Sequence, residues 1–272
     1  MYKPSVIFID LDGTSLDHKT NDGRWRASQR LINIIEKINQ KIPVVVLTGR
    51  GENAETFEIL EQMKIKNAIL WNGAKIFANK KEIYSQSIKK EVVEQLFDLA
   101  KKEEATIVFN SLMNSYTYTT SAIAQKDLWE RRKVQILPDD FKPNFDVYKV
   151  AITSNTNRTI QDFIKEWKLI FNDELTITDT GVRRTFLEIT GKNVNKGTGA
   201  AKYCEFFNLN LSKSMHIGDS MNDSFVKGYV GTVIALKGSV PEFIEISDQV
   251  TKNEFDNFGL AEFLENNIDL NW

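Results

Sequence analysis

Val6-Ile7-Phe8-Ile9-Asp10-Leu11-Asp12-Gly13-Thr14 is the stretch on which the fold turns. Four apolar residues run without a polar break, too few for a helix and without the alternation of a half-exposed strand. That is the pattern of a short strand buried on both faces of a sheet. Two aspartates follow at once. Ligands of open α/β sheets bind beyond the carboxyl ends of the strands, so both carboxylates fall where chemistry is expected. An isolated Asp-x-Asp is more often a turn or helix-capping pair, and the rest of the chain has to decide.

Working outward, Leu31, Ile34, Ile35 and Ile38 recur at helical spacing, and Pro43 closes that segment. Val44-Val45-Val46-Leu47 reads as a second buried strand. Phe57, Leu60 and Met63 mark a second helix. Ala68 to Trp71 reads as a third strand, ending at Asn72-Gly73. Strand and helix in alternation imply a parallel sheet. The middle of the chain differs. Val92, Val93, Leu96, Phe97 and Ala100 form a helical stripe, as do Ile160, Phe163, Ile164 and Trp167. Strands are expected at 106–110, 116–120, 146–153, 175–178 and 185–189, several of them paired as hairpins. The last part returns to the first style, with a helix at 195–207, strands at 214–217 and 232–236, and a closing helix at 255–264. The expected fold is α/β: a Rossmann-like parallel-sheet core made from residues 1–83 and 190–272, with an α+β domain, residues 84–189, inserted into it.

The bulk properties fit a globular protein with a substantial core: 272 residues, 42% hydrophobic and 26% charged. A net charge of -2 argues against a nucleic-acid partner. The strongest apolar run, Ile42 to Leu47, is far shorter than the roughly 20 residues a membrane span needs. The N-terminal residues carry no charged leader or small-residue cleavage site, so no signal peptide is expected, and Cys204 is the single cysteine. A cytoplasmic protein without membrane attachment or obligate protein partner is expected.

Four short segments carry polar groups at strand ends or helix starts. Asp10 and Asp12 follow the first strand. Thr48-Gly49-Arg50 follows the second, where a hydroxyl and loop amides can hold a phosphate oxygen. Lys196 opens a helix, a position the helix dipole disfavours for a cation. Gly218-Asp219-Ser220-Met221-Asn222-Asp223 follows a late strand and offers oxygen ligands of the kind a hard cation takes. Singly each segment reads as an ordinary turn or a solvated charge. Together they supply a nucleophile, a proton donor, a hydroxyl, a lysine and a metal carboxylate, the groups phosphoryl transfer requires.

In this order the four segments resemble the motifs of the haloacid dehalogenase (HAD) superfamily, and the mixed insertion after the third strand resembles its Cof-type sugar-phosphatase branch. The resemblance covers both core segments; over the insertion it is one of architecture. It implies Asp10 as nucleophile and Asp12 as the acid that protonates the leaving group and then activates water. It implies that Thr48, Gly49, Lys196 and Asn222 bind phosphate, and that Lys196 also neutralises the nucleophile. Mg²⁺ would sit on Asp10, the Asp12 carbonyl and Asp219, with Asp223 positioning Lys196. The implied activity is Mg²⁺-dependent hydrolysis of a small phosphorylated metabolite, a sugar phosphate above all, with the inserted domain as a cap that selects it. The sequence departs from the family pattern at Ser15-Leu16, Phe225-Val226 and Glu245, none of them a catalytic position.

Two other functions share these residues. A phosphomutase uses the same nucleophile and returns the phosphoryl group to its substrate. A non-catalytic phosphate- or partner-binding module needs no acid/base residue, so the joint presence of Asp10, Asp12, Thr48, Lys196 and Asp219 weighs against it. His216, within a buried strand, reads as a packed core histidine, and His18 as a solvated loop residue. Arg183 and Arg184 read as surface charges on a hairpin, with anchoring of an anionic substrate as their alternative role.

Overall fold

The computed structural model describes residues 1–111, 115–122, 126, 135–180 and 186–270. Arg183 and Arg184 lie outside the described residues. In chain order the elements are β1 (Ile7–Ile9), β2 (His18–Lys19), β3 (Trp25–Arg26), α1 (Gln29–Asn39), β4 (Val44–Leu47), α2 (Ala54–Gln62), β5 (Ala68–Leu70), β6 (Lys75–Ala78) and β7 (Lys81–Ser85). There follow α3 (Lys90–Lys102), β8 (Thr106–Asn110), β9 (Ser115–Tyr118), β10 (Gln135–Ile136), β11 (Lys149–Thr153), α4 (Ile160–Phe171), β12 (Leu175–Thr180) and β13 (Phe186–Gly191). The chain closes with α5 (Lys196–Phe206), β14 (Met215–Gly218), β15 (Thr232–Lys237), α6 (Pro241–Ile246), β16 (Gln249–Glu254) and α7 (Gly259–Asn267).

These elements form two compact units. The first comprises Met1–Arg50, Ala54–Tyr84 and Asn195–Trp272; the second comprises Gly51–Asn53 and Ser85–Val194. The first unit holds an eight-stranded sheet in the order β16-β15-β14-β1-β4-β5-β6-β7. From β16 to β5 the pairing is parallel. Beyond β5 the sheet turns antiparallel. The two residues between β6 and β7, Asn79 and Lys80, both have positive φ, as a tight two-residue hairpin turn demands.

Alternation along the buried strands divides the apolar residues between two layers. Ile7, Ile9, Val44, Val46, Met215 and Ile217 pack against α1, α2 and α7 through Leu31, Ile35, Ile59 and Leu260. Phe8, Val45, Leu47, Val233 and Ala235 face the other way, toward Ala200, Tyr203 and Cys204 of α5 and Phe243 of α6. Asp10 falls on the Phe8 side by the same count, the side on which α5 begins. Ser28 caps α1 through its hydroxyl, and the buried Asp17 carboxylate accepts from both Ser28 N and Oγ (2.5 and 2.8 Å), tying α1 to the loop after β1.

The second unit is built on a six-stranded sheet in the order β10-β9-β8-β11-β13-β12, antiparallel from β9 to β12, with β10 added parallel to β9. Its core joins Ile107, Phe109, Val150, Ile152, Leu187 and Ile189 to α3 and α4. The segment that the sequence reads as ending at 189 continues in strand to Gly191, and Thr190 Oγ1 bonds the Val194 carbonyl at 2.5 Å.

The closing helix differs from its sequence reading. Residues 255–257 form a separate 3₁₀ turn, Phe258 takes φ 58°, and α7 starts at Gly259. The left-handed backbone of Phe258 separates the two, and a Cβ at 259 would lie 2.2 Å from the Asn253 carbonyl oxygen, which explains the glycine there. No helix of the described residues is long and apolar enough to cross a membrane.

Candidate active site

All the residues singled out in the core segments lie in the first unit, at the carboxyl ends of β1, β4 and β14 and at the start of α5. Asp10 is the first residue past β1. Its backbone N–H still donates to the Ile217 carbonyl (3.0 Å), and its own carbonyl accepts from the Ser15 hydroxyl, so the chain bends under it in a fixed way. Gly13 permits that bend. Its φ is +72°, and a Cβ there would stand 2.6 Å from Asp219 Oδ2.

Lys196 comes from the opposite side. Asn195 caps α5 by accepting from the Thr198 N–H at 2.9 Å, with Thr198 Oγ1 returning the bond, which sets Lys196 at the first helical position. The lysine is fully buried. Its ammonium lies 3.0 Å from Asp10 Oδ1 and 2.6 Å from Asp223 Oδ1. An ammonium buried without partners would cost several kcal/mol; two carboxylates explain its presence.

Asp223 is saturated. Its Oδ1 meets Lys196 and His216 Nε2 (2.7 Å), and its Oδ2 accepts from the backbone N–H groups of Asp219 (3.2 Å) and Ser220 (3.1 Å). Gly218 makes room for it, since a Cβ at 218 would lie 2.3 Å from the Asp223 carboxyl carbon. Asp219 takes a hydrogen bond from Thr14 Oγ1 at 3.1 Å.

The charge balance is uneven. Oxygens of Asp10, Asp219 and Asp223 lie within 4.8 Å of one another, and Lys196 is the cation among them. Burial pushes the Asp10 carboxyl up to about 7; Lys196 opposes the rise, while Asp223 and Asp12 add to it. Burial likewise raises Asp219, reinforced by Asp10 and Asp223. Burial works against ionisation of Asp223 too, but Lys196 and His216 outweigh it and hold that carboxyl below the usual range. Lys196 is disfavoured by burial and then held charged, above the usual lysine range, by Asp10 and Asp223. The site therefore has a deficit of positive charge on Asp10 and Asp219. Those two carboxylates fit a divalent cation. Asp223 lies close enough as well, but both its oxygens already accept from donors, so it fits a cation less well.

The remaining sequence-predicted residues ring this cluster. Thr48 is buried; its hydroxyl accepts from Arg50 N at 3.1 Å and its carbonyl from Asn72 N at 2.9 Å. Gly49 stands between Thr48 and Arg50 in the same loop. Asn222 donates to Asn72 Oδ1 (3.3 Å) and accepts from Ser220 Oγ (2.9 Å). Asn72 thus links the loops after β4, β5 and β14. Asp12 stands apart from the buried group. Its carboxylate is 58% exposed and held in a two-point clamp by Arg50, with Nε and Nη2 each 2.7 Å from an oxygen. Arg50 in turn lies 3.5 Å from Glu55.

Three participants escaped the sequence reading. Asn72 appears there as the end of a strand, Arg50 as part of a loop, and His216 as a packed core residue. His216 is buried, as expected, but it is bonded to Asp223. Its place two residues before Gly218-Asp219 in a buried strand was the available signal. Trp71 is buried in the core with the Lys75 ammonium 5.9 Å from its ring centre, and His18 is exposed on β2.

A model of the haloacid dehalogenase-like hydrolases matches residues 7–264. The chain belongs to that family, and it is an enzyme of the hydrolase class. Among curated proteins it is similar to a phosphoglycolate phosphatase of Methanobrevibacter smithii, 25% identical over 96% of this chain and 97% of the relative. It is also similar to the 5-amino-6-(5-phospho-D-ribitylamino)uracil phosphatase YcsE of Bacillus subtilis, 23% identical over 93% and 91% of the two chains. Among solved structures, the HAD subclass IIB sugar phosphatase BT4131 superposes with a TM-score of 0.79, at 19% identity, over 96% of this chain and 97% of that one. That likeness is one of fold.

Proposed function

We propose that this chain is a Mg²⁺-dependent phosphatase that hydrolyses small phosphorylated metabolites, sugar phosphates above all, through an aspartyl-phosphate on Asp10. The observation that carries the reading is the cluster of buried Asp10, Lys196 and Asp223 with half-buried Asp219, and its deficit of positive charge. The names of the phosphoglycolate and ribitylaminouracil-phosphate relatives and of the sugar-phosphatase neighbour point to the same substrate class.

Asp10 and Asp219, with the Asp12 backbone carbonyl, would hold the cation. Bound there, Mg²⁺ supplies the charge neutralisation that lets an anionic nucleophile approach an anionic phosphate. In the first step an Asp10 oxygen attacks phosphorus and the bond to the leaving oxygen breaks, with Asp12 giving that oxygen a proton. In the second, Asp12 takes a proton from water, the water oxygen attacks phosphorus, and inorganic phosphate leaves Asp10 free. Lys196, Thr48, Gly49 and Asn222 hold the phosphoryl oxygens, and Asp223 sets the position of Lys196. For this role Asp12 has to leave the Arg50 clamp, so a swing of one side chain precedes proton transfer.

The inserted segment, residues 84–189 in the sequence reading, acts in this proposal as a cap that chooses the leaving group. Its expected partner is a small phosphorylated metabolite rather than a macromolecule. The lone, buried thiol of Cys204 is in keeping with a reducing cytoplasm. A phosphate-release screen over sugar phosphates, phosphoglycolate, nucleotides and flavin mononucleotide, with Mg²⁺, tests the reading. Release from sugar phosphates without a second acceptor supports hydrolysis. Transfer to an acceptor with no free phosphate would make the chain a phosphomutase instead, and no reaction with any ester would sink the enzymatic reading.

A further inference from the structure

We propose that His216 is a positioning residue of the phosphoryl-transfer site: its Nε2–H shares Asp223 Oδ1 with the Lys196 ammonium and so sets how much of that ammonium is left for Asp10 and the phosphoryl group. The inference rests on the phosphatase reading above.

The geometry makes His216 the donor. A carboxylate that takes two backbone N–H bonds on one oxygen and an ammonium on the other is ionised and can only accept. The 2.7 Å contact at Oδ1 therefore requires the proton on His216 Nε2. The other ring nitrogen, Nδ1, is buried and has no hydrogen-bond partner among the described residues. A proton there would be a buried donor with nothing to meet, which costs about 1–3 kcal/mol. The imidazole is thus neutral, with one fixed tautomer. Its strand explains its aim. In β14, His216 lies level with Phe8 of β1 and Val233 of β15, on the face that packs against α5, where Lys196 begins.

The consequence follows from counting donors. Asp223 has about four lone-pair directions, and four close donors fill them: Lys196, His216, and the N–H groups of Asp219 and Ser220, with the Ser220 hydroxyl further off at 3.5 Å from Oδ2. Without the imidazole, Oδ1 has the ammonium as its remaining donor and draws it closer. Lys196 already sits nearer to Asp223 than to Asp10, 2.6 against 3.0 Å. A further shift removes the cation from the nucleophile and from the developing charge on phosphorus. This loss falls on the transition state more than on substrate binding, so kcat drops and KM does not.

The test uses the chain's having two histidines. Three substitutions are made: His216→Leu removes the donor, His216→Gln keeps an N–H at the Nε2 position, and His216→Asn puts one where Nδ1 stands. On p-nitrophenyl phosphate with Mg²⁺, the Leu and Asn variants are expected to lose about 10–100-fold in kcat, the usual cost of breaking an outer contact of this kind, with KM little changed. The Gln variant should recover most of that loss. In wild-type protein carrying ¹⁵N-histidine, the resonance that disappears in His216→Gln should show the neutral Nε2–H tautomer. Wild-type kcat in all three variants, a Gln variant as slow as Leu, or an Nδ1–H tautomer would overturn the proposal. If His216→Leu does not fold, the Gln and Asn pair decides alone. A wild type without turnover would instead overturn the phosphatase reading, and with it the role given to His216.

Discussion

The two sheets of this protein are read by opposite rules. In the first unit β4 is Val-Val-Val-Leu, buried at every position, because layers of helices cover both faces. In the second unit β11 is Lys-Val-Ala-Ile-Thr, buried at every other position. Val150 and Ile152 enter the core under α3 and α4, while Lys149, Ala151 and Thr153 take the other face, where Lys149 pairs with Glu188. A sheet covered on both sides has one place left for polar chemistry, its strand ends. A sheet with its core on one side carries polar side chains on the other, Asn110, Lys149, Glu188 and Thr190 among them, outside that core. The difference assigns chemistry to the first unit and variability to the second.

The sharpest way to break this division is at the strand end of the first unit. Asp10→Asn is expected to lower kcat by at least about 1,000-fold while leaving the folded state intact, as judged by an unchanged thermal transition. A mutant purified free of wild-type protein that keeps near-normal turnover would remove Asp10 from the mechanism.

Metal dependence comes next. Excess chelator should abolish turnover and added Mg²⁺ should restore it. Asp219→Asn should raise the Mg²⁺ concentration for half-maximal activity by about tenfold or more, since an amide is a weaker ligand for a hard cation. Titration of metal against turnover measures this, and full activity in chelator would contradict it.

A third comparison concerns stability. Val45→Ala and Val46→Ala, neighbours on opposite faces of β4, should each cost about 1.5–3 kcal/mol. In β11 the cost should alternate: about 2–5 kcal/mol for Ile152→Ala and within about 0.5 kcal/mol for Thr153→Ala. Denaturant midpoints with matched slopes would show the pattern. Equal costs at 152 and 153 would mean that the second sheet is covered on both faces after all.

The smallest expected effects come from Asn110→Ala, on β8 opposite Lys149, and from Arg183→Ala, outside the described residues. Each should change the ranking of sugar phosphates by a few-fold in kcat/KM, about 1 kcal/mol or less. Turnover of p-nitrophenyl phosphate should scarcely move. Uniform losses on every ester would deny the second unit its part in selectivity.

The same contrast explains what was legible in the sequence. Val6 to Ile9 and Val44 to Leu47 announce their strands because burial on both faces leaves no polar residue within them, and Asp10, Thr48 and Asp219 stand out as the polar residues where such runs end. β16, Gln-Val-Thr-Lys-Asn-Glu, is an edge strand with little apolar content, and it escapes that reading. So does the β2–β3 hairpin, two residues on each side. The clamp of Arg50 on Asp12 and the bond of His216 to Asp223 depend on which loops meet in space, and spacing along the chain does not encode that. The separation of residues 255–257 from α7 is made by the left-handed backbone of Phe258, an apolar residue whose type gives no sign of it.

The central strand of the catalytic sheet has a consequence for how the molecule comes into being. β1 is made well before one of its two neighbours, β14, which pairs Met215 with Ile7, roughly 200 residues apart in sequence. The entropy of closing a loop grows only with the logarithm of its length, and the inserted unit, with a core of its own, can collapse early and shorten the effective loop. Maturation of the site therefore waits for the stretch from Lys196 to Asp223. A nascent chain halted before Lys196 carries Asp10 but neither the ammonium nor the Asp219 and Asp223 carboxylates that lie around it, so on the proposed mechanism it stays chemically silent until those residues have been made.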